Sequence, residues 1–230
     1  MTLLHTTERA EICRIGRSLF ERGYVHASAG NISVRLPDAH GFLITPTDAC
    51  LGFLDPAQLA HVDIDGHGVG GDRASKTLGL HRRIYAAEAS ANCIVHTHST
   101  HAVALTLAGA VAGDSARDSN GDDALPPITP YFVMKVGHVP LVPYHRPGDP
   151  AVARLVADRI ALQHERNVPI RAVLLERLGP LVWHESPAAA MATLEELEET
   201  ARLWLMAGAK PAPLSAAQID ELRTTFGARW

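Results

Sequence analysis

Two histidines separated by one residue, His96 and His98, follow the apolar run Cys93–Val95. Side chains two positions apart in a strand point to the same face of the sheet. A strand over Cys93–His98 would therefore place both imidazoles side by side, where they could bind a divalent cation. The pair alone is equally compatible with two polar residues at a strand end, because histidine is often partly buried and hydrogen-bonded. The neighbouring motifs have to decide between these interpretations.

Three loops carry the residue types that bind anions. In Ser28-Ala29-Gly30-Asn31, small residues let backbone N–H groups converge, and the serine and asparagine add donors. Thr47 follows a predicted strand, and Ser75-Lys76 lies at a predicted helix N-terminus, where the helix dipole and the lysine favour an anion. Each loop alone is also compatible with an ordinary turn. Together with the histidine pair, the three loops predict a site for an anionic small molecule.

Helices and strands alternate along the chain and must position these residues. The spacing of Ile12, Ile15 and Leu19 predicts a first helix that Thr7 caps and Gly23 ends. Further helices are predicted from Ser75, from Ser99, over Ala151–Gln163 and from Ser186-Pro187 to Gly208, and strands over Ala27–Arg35, Gly41–Thr45, Ala60–Ile64, Val139–Pro143, Ala172–Leu175 and Leu181–Trp183. This pattern predicts one α/β domain over residues 1–230 with a helix-covered sheet.

Two polar segments of this pattern carry no predicted chemistry. The segment Asp114–Asp123 is predicted to be a solvated connecting loop. In the last long helix, Leu194 and Leu197 belong to an apolar stripe, and the glutamates at 195, 196, 198 and 199 are predicted to face water.

Composition limits the functions to consider. The 230 residues are 47% hydrophobic and 20% charged, which is typical of a globular protein with a sizeable core. The net charge of −4 and the absence of a basic cluster argue against nucleic acid or an anionic membrane as the main partner. The apolar stretch Ala102–Gly113 is too short to span a bilayer. Three scattered cysteines and a charged N-terminal segment favour a cytoplasmic protein.

In combination, the motifs resemble the class II aldolase/adducin superfamily, whose familiar members are fuculose-phosphate aldolase and ribulose-phosphate 4-epimerase. The segments 50–56, 142–149 and 194–200 are similar to its branch of 3-oxo-tetronate 4-phosphate decarboxylases. The resemblance covers Thr7 to about Gly208 and leaves 209–230 as a C-terminal tail. The shared motifs are Ser28-Ala29-Gly30-Asn31-Ile32-Ser33, Ile44-Thr45-Pro46-Thr47, Ser75-Lys76 with His81, and Val95-His96-Thr97-His98-Ser99.

This resemblance implies a three-layer α/β/α fold with a central mixed, largely antiparallel sheet, assembled as a homotetramer. It implies a divalent metal, zinc or alternatively manganese, bound by His96 and His98. Decarboxylation and retro-aldol cleavage both pass through an enolate or enediolate that a cation stabilises. The function implied is therefore a metal-dependent carbon–carbon lyase acting on a small sugar-acid or keto-acid. Lys76 and Tyr131 are the implied catalytic residues, with Tyr131 as an acid/base group.

Three positions depart from the family pattern. Thr77 stands where the family carries a glutamate, and Leu178 where it carries a third metal-binding histidine. His145 is therefore the first candidate for a third ligand. Asp48 replaces a frequent glycine, and its carboxylate would repel a phosphate, so phosphate and carboxylate both stay open as the substrate's anionic group.

Two other functions stay open at this point. One is an enzyme of the same fold with altered chemistry, such as an isomerase that binds metal weakly or not at all. The other is a non-catalytic binding protein of the adducin-head type. Near the predicted site, Arg146 is expected to pair with Asp149, and Glu176 with Arg177, rather than to bind ligands.

Overall fold

The computed structural model describes residues 3–37, 40–107 and 123–230. Most of the predicted loop 114–123 and two residues of the first hairpin turn, 38 and 39, lie outside the described residues. The described helices are α1 Thr6–Glu21, α2 Leu78–Ala87, α3 Thr100–Leu107, α4 Pro150–Glu165, α5 Pro187–Met206 and α6 Ala216–Phe226. The strands are β1 Asn31–Arg35, β2 Phe42–Ile44, β3 Ala60–Val62, β4 Gly68–Gly70, β5 Cys93–His96, β6 Leu141–Val142, β7 Ala172–Leu175 and β8 Gly179–His184.

The strands form one mixed sheet in the order β4-β3-β2-β1-β5-β8-β7-β6. Neighbours pair antiparallel, except that β6 and β7 are parallel. This topology confirms the predicted mixed, largely antiparallel sheet. Strand β4 was not predicted, because its three exposed residues include two glycines and show no apolar alternation.

Helices cover both faces of the sheet, so the predicted three-layer arrangement is confirmed. On one face, Ile15 of α1 and Leu194 of α5 pack with Val95 of β5 in one apolar core. On the other face, Ile84 of α2 packs in a second core with Ile94, the strand neighbour of Val95. Alternation along β5 thus anchors the strand in two cores at once, because successive side chains point to opposite faces. No helix in the described part of the chain is long and apolar enough to cross a membrane.

Glu198 of α5 is buried, so the prediction that it faces water is wrong. Its carboxylate accepts hydrogen bonds from the Ser99 hydroxyl at 2.7 Å, from the backbone N–H and ring Nδ1 of His101 at 2.8 Å each, and from the Ala102 N–H at 2.9 Å. These donors lie at the start of α3, where backbone N–H groups have no partner within the helix. Helical periodicity cannot reveal a cap that comes from another helix.

The segment predicted as a C-terminal tail contains a helix, α6. Ser215 caps it through a reciprocal pair of hydrogen bonds with Gln218. Beyond α6, the Trp230 ring stacks on His138 with 4.2 Å between ring centroids. Residues after 208 therefore pack against the remainder of the fold.

Replacement of Glu198 by alanine tests its role as the cap of α3. We expect the free energy of unfolding to fall by about 2–4 kcal/mol, because several buried donors lose their acceptor. Glu199→Ala is the matched control. Glu199 follows Glu198 in the same helix, but its carboxylate makes only an exposed ion pair with Arg202. Its effect should stay within about 0.5 kcal/mol. Equal effects of the two substitutions in denaturant titrations would contradict the assignment.

Candidate functional site

A cavity of about 390 Å³ opens beside the end of the central strand β5. The register pairs His96, the last residue of β5, with Asn31, the first residue of β1, so the loops that flank both strands meet there. The fold thus brings the three predicted anion loops and the histidine pair into one cavity. Its lining includes Ser28, Gly30, Asn31, Thr47, Ser75, Lys76, His96 and His98.

The two histidines lie side by side, although β5 ends at His96 and not at His98 as the sequence predicts. Their ring centroids are 5.0 Å apart, at an interplanar angle of 62°. The Nδ1–H of His96 donates to the Pro180 carbonyl oxygen at 2.9 Å. A carbonyl only accepts, so the proton is on Nδ1 and Nε2 keeps a free lone pair. This is the arrangement of a metal-binding imidazole whose second nitrogen is held by the backbone.

Burial also keeps both rings in the form that binds metal. It lowers the pKa of His96 to about 4, with His98 as a second cause. The pKa of His98 is lowered as well, by burial and by the nearby His26. Metal ions bind neutral imidazole, so these rings do not have to lose a proton near pH 7.

Gly179 allows β8 to come this close to the histidine pair. Its φ is +103°, which is in the region that favours glycine. A Cβ at this position would lie 2.5 Å from the Thr97 carbonyl oxygen and 3.2 Å from the His98 Cα. A larger residue would therefore push the two strands apart and displace the His96 ring from Pro180.

The donor set fits a divalent cation with two protein ligands. Neutral imidazoles are ordinary zinc ligands, although catalytic zinc usually has three protein ligands. Within the described residues, one group of three His, Cys, Asp or Glu side chains has its ligand atoms within 4.8 Å of one another, namely Asp63, Asp65 and His67. None of these three lines the cavity. At the histidine pair, further coordination positions are thus left to water or substrate oxygens.

Four other positions that the sequence singles out differ in their relation to the cavity. Thr77 and Leu178 line it, so the positions of the family's glutamate and third histidine face the site without a metal-binding group. His145 does not line it, and its Nδ1–H donates to the Pro143 carbonyl at 2.8 Å. Tyr131 is 61% exposed and also lies outside the lining. The roles given to His145 and Tyr131 stay predictions.

Lys76 and Asp48 form an ion pair at the rim of the cavity. The Nζ–Oδ1 distance is 3.3 Å, and both side chains are largely exposed. Asp48 has a φ of +58°, a left-handed conformation that explains why glycine is common there. The Asp48 carboxylate therefore competes with a substrate anion for the Lys76 charge, rather than only repelling that anion.

The structural pairings expected near the site are present. Arg146 lies 3.8 Å from Asp149, which accepts a hydrogen bond from the Ala151 N–H at the start of α4. Glu176 lies 3.7 Å from Arg177 and accepts from the Tyr144 backbone N–H at 2.9 Å.

His81 is a site residue to which the sequence gave no role beyond its place in the motif. It is fully buried on α2 and lines the cavity, and among the described residues it has a partner on one nitrogen only. Its Nδ1 lies 2.7 Å from the Ser33 hydroxyl. The Oδ1 of Asn31, another lining residue, is likewise buried without a partner. Burial, and to a lesser degree His96, lowers the pKa of His81 to about 3.

Comparison with known proteins connects this site to a family. The model of the Class II Aldolase and Adducin N-terminal domain matches residues 10–205. The chain belongs to this family. It is 57% identical over 227 residues to a 3-oxo-tetronate 4-phosphate decarboxylase of Cupriavidus necator, covering 96% of this chain and 97% of that protein. It is 30% identical over 197 residues to an L-fuculose phosphate aldolase of Methanococcus maripaludis, covering 86% and 94%.

A solved structure agrees with these relatives. The crystal structure of YgbL from Escherichia coli superposes with a TM-score of 0.81 at 41% identity, covering 95% of this chain and 98% of that one. The prediction that this class II aldolase-family protein is a carbon–carbon lyase is confirmed. Divalent-metal dependence fits the family, and the alternative of a non-catalytic adducin-type head loses its support.

Metal content distinguishes the histidine pair from the exposed Asp63, Asp65 and His67 group. We expect His96→Ala to lose stoichiometric divalent metal in elemental analysis after zinc loading and desalting, because half of the imidazole pair is gone. The matched variant His67→Ala should keep it. His145→Ala should lower zinc affinity only if that residue is the third ligand. Retention of metal by His96→Ala with loss in His67→Ala would place the ion at the exposed group instead.

The two buried imidazoles should make the metal-free protein sensitive to mild acid. Unfolded histidine protonates near pH 6.5, whereas folded His81 and His96 stay neutral down to about pH 3 and 4. The unfolded state therefore binds more protons in this window. The free energy of unfolding falls as the pH is lowered, with a slope that approaches about 1.4 kcal/mol per pH unit for each ring near pH 5. Denaturant titrations between pH 6.5 and 5 should show this slope, and His81→Gln/His96→Gln should flatten it. An equally steep slope in the double variant would disprove the assignment.

Proposed function

We propose that this chain is a zinc-dependent decarboxylase of a 3-oxo-tetronate 4-phosphate. The retained histidine pair and anion loops support a lyase that acts on an anionic substrate. The observation that carries the choice of decarboxylation is Thr77, which lines the cavity where the family has a glutamate. A threonine hydroxyl cannot act as a base near pH 7.

Decarboxylation is the family reaction that needs a base least. Retro-aldol cleavage must remove a proton from a substrate hydroxyl, whereas a 3-oxo acid loses CO₂ without giving up a proton. The two carboxylates among the described lining residues are already engaged, Asp48 with Lys76 and Asp149 at the start of α4. A site without a free carboxylate therefore suits decarboxylation.

The anion loops would bind the phosphate end of the substrate. Ser75 and Lys76 precede α2, where the helix dipole favours negative charge, and Lys76 adds a cation. The Asn31 amide and the hydroxyls of Ser28 and Thr47 line the same cavity. Holding the phosphate there orients the 3-oxo group and the adjacent C1–C2 bond toward the histidine pair.

The bond changes then follow from the substrate's own chemistry. The C1–C2 bond breaks and CO₂ leaves. The electron pair of that bond forms a C2–C3 double bond, and the carbonyl electrons move onto the C3 oxygen to give an enolate. Protonation at C2 completes a three-carbon hydroxyketone phosphate. A divalent cation bound by His96 and His98 would supply the positive charge that stabilises the enolate. The buried surroundings strengthen every charge interaction at that oxygen.

Tyr131 is proposed as the donor of the final proton. Its side chain lies outside the cavity of its own chain, so in this role it would act across a subunit boundary. We accordingly propose a homotetramer with sites between subunits, which light scattering of the purified protein tests. We also propose a cytoplasmic location, which the three free cysteines support.

Product analysis tests the proposed reaction. Zinc-loaded protein given 3-oxo-tetronate 4-phosphate should release one CO₂ per hydroxyketone phosphate, and chelation or His98→Ala should lower kcat at least 100-fold. Release of an aldehyde from L-fuculose phosphate, with no CO₂ from the 3-oxo acid, would instead indicate the aldolase chemistry of the M. maripaludis relative. Turnover that survives both chelation and His98→Ala would contradict the metal-dependent mechanism and favour altered chemistry without metal.

The ion pair at the rim makes a separate prediction about phosphate recognition. Asp48→Gly should lower KM for the phosphorylated substrate about 3- to 10-fold, because Lys76 loses its competing carboxylate and glycine tolerates the backbone φ of +58°. Lys76→Met should raise the same KM at least 10-fold. The unphosphorylated 3-oxo acid is the control substrate, and its KM should change little in both variants. Parallel changes for both substrates would show that Lys76 does not bind the phosphate.

A further inference from the structure

His81 ends a buried hydrogen-bonded chain beneath the cavity. The Tyr85 hydroxyl lies 2.9 Å from the Ser33 hydroxyl, which lies 2.7 Å from the His81 Nδ1. None of the three residues is more than 3% exposed. The two hydroxyl protons of this chain must therefore find their acceptors within the protein.

The direction of the chain follows from counting protons. If the His81 Nδ1 donated to Ser33, the Ser33 proton would go to Tyr85, and the buried Tyr85 proton would have no acceptor among its described contacts. The backbone neighbour of that phenol is the Ile94 N–H, which is itself a donor. In the opposite direction, Tyr85 donates to Ser33 and Ser33 donates to Nδ1, so both hydroxyl protons are paired. The donor left unpaired is then the Nε2–H of His81, a residue that lines the cavity, where a ligand can accept it. Tyr85 does not line the cavity, so an unpaired proton on its hydroxyl would cost about 1–3 kcal/mol that no ligand in the cavity could recover, which favours the second arrangement.

The neutral His81 ring therefore carries its proton on Nε2. That atom is buried and has no partner in the described protein, although its residue lines the cavity. A protonated nitrogen has no lone pair for a metal, so in this tautomer His81 is not a third metal ligand. The unpaired Nε2–H is thus a hydrogen-bond donor for which the described part of the chain supplies no acceptor.

We propose that His81 is a further catalytic residue, which donates its Nε2–H to the substrate oxygen on which negative charge develops. This role rests on the proposed lyase function. An uncharged imidazole keeps its proton, so it stabilises the enolate through a hydrogen bond and transfers nothing. The donor is preorganised because Ser33 and Tyr85 hold the ring. Its hydrogen bond supplements the stabilisation of the enolate by a cation that only two imidazoles would hold.

Two amide substitutions separate the two nitrogens of the ring. His81→Gln places an amide N–H near the position of Nε2, whereas His81→Asn reaches only the position of Nδ1 and keeps the Ser33 contact. We expect His81→Asn to lower kcat about 100- to 1000-fold with a small change in KM, as for loss of one donor to an oxyanion. His81→Gln should recover at least 10-fold of that loss. Wild-type kcat in His81→Asn, or equal losses in both folded variants, would overturn the role.

The tautomer can be measured without any turnover. In ¹⁵N-histidine-labelled protein, two-dimensional ¹H–¹⁵N spectra distinguish a protonated Nε2 from a protonated Nδ1, and the signals missing from His81→Gln identify this ring. We expect a protonated Nε2 in the wild type. A protonated Nδ1 would refute the proposal directly.

Oxalate provides a test that does not depend on the decarboxylase assignment. Its planar pair of oxygens mimics an enediolate, so zinc-loaded wild type should bind it and shift the Nε2–H signal of His81. His81→Asn should bind oxalate at least 10-fold more weakly, with the same zinc content and thermal stability as His81→Gln. If the wild type lacks decarboxylase activity but these results hold, the proposed substrate is wrong and the donor role stands. Equal oxalate affinity in wild type and both variants would reject the donor role even in an active decarboxylase.

Discussion

The pairing of β5 with β8 is the constraint on which the site depends. It brings the Pro180 carbonyl to the Nδ1–H of His96, which fixes the tautomer of that ring and leaves Nε2 free on the cavity side. Gly179 makes this approach possible, since a Cβ there would collide with the Thr97 carbonyl. The two apolar cores hold β5 from both faces, so the His96 ring cannot leave this position without disrupting the packing of the sheet.

Both faces of the sheet contribute polar support to the site. On the α2 side, Tyr85 and Ser33 hold His81, whose second nitrogen has no partner among the described residues. On the opposite side, Glu198 fixes the start of α3, directly after the segment that carries His98. Polar groups buried at this depth are tolerated only when they are paired. Two buried atoms without a partner among the described residues, the Asn31 Oδ1 and the His81 Nε2, belong to residues that line the cavity, where a bound substrate can complete their hydrogen bonds.

The charge distribution separates the two ends of the cavity. Burial keeps the histidines neutral, so the histidine end holds donors and ligands without a fixed charge. The rim carries the one lysine of the lining, shared with Asp48. In the proposed reaction, Lys76 at the rim would meet the substrate's phosphate, while the reacting oxygens would meet the imidazoles and the cation that they would hold.

The sequence by itself determined the sheet-and-helix architecture, the three anion loops and the histidine pair. Each of these is a local pattern, since apolar periodicity and turn residues reflect the backbone of a few neighbouring positions. Only the tertiary structure decided that Glu198 is buried as a cap, that Asp48 pairs with Lys76, and that His81, a cavity-lining residue, has a buried nitrogen without a partner among the described residues. These features depend on contacts between segments distant along the chain, and a residue's type does not reveal which distant partner will satisfy its hydrogen bonds.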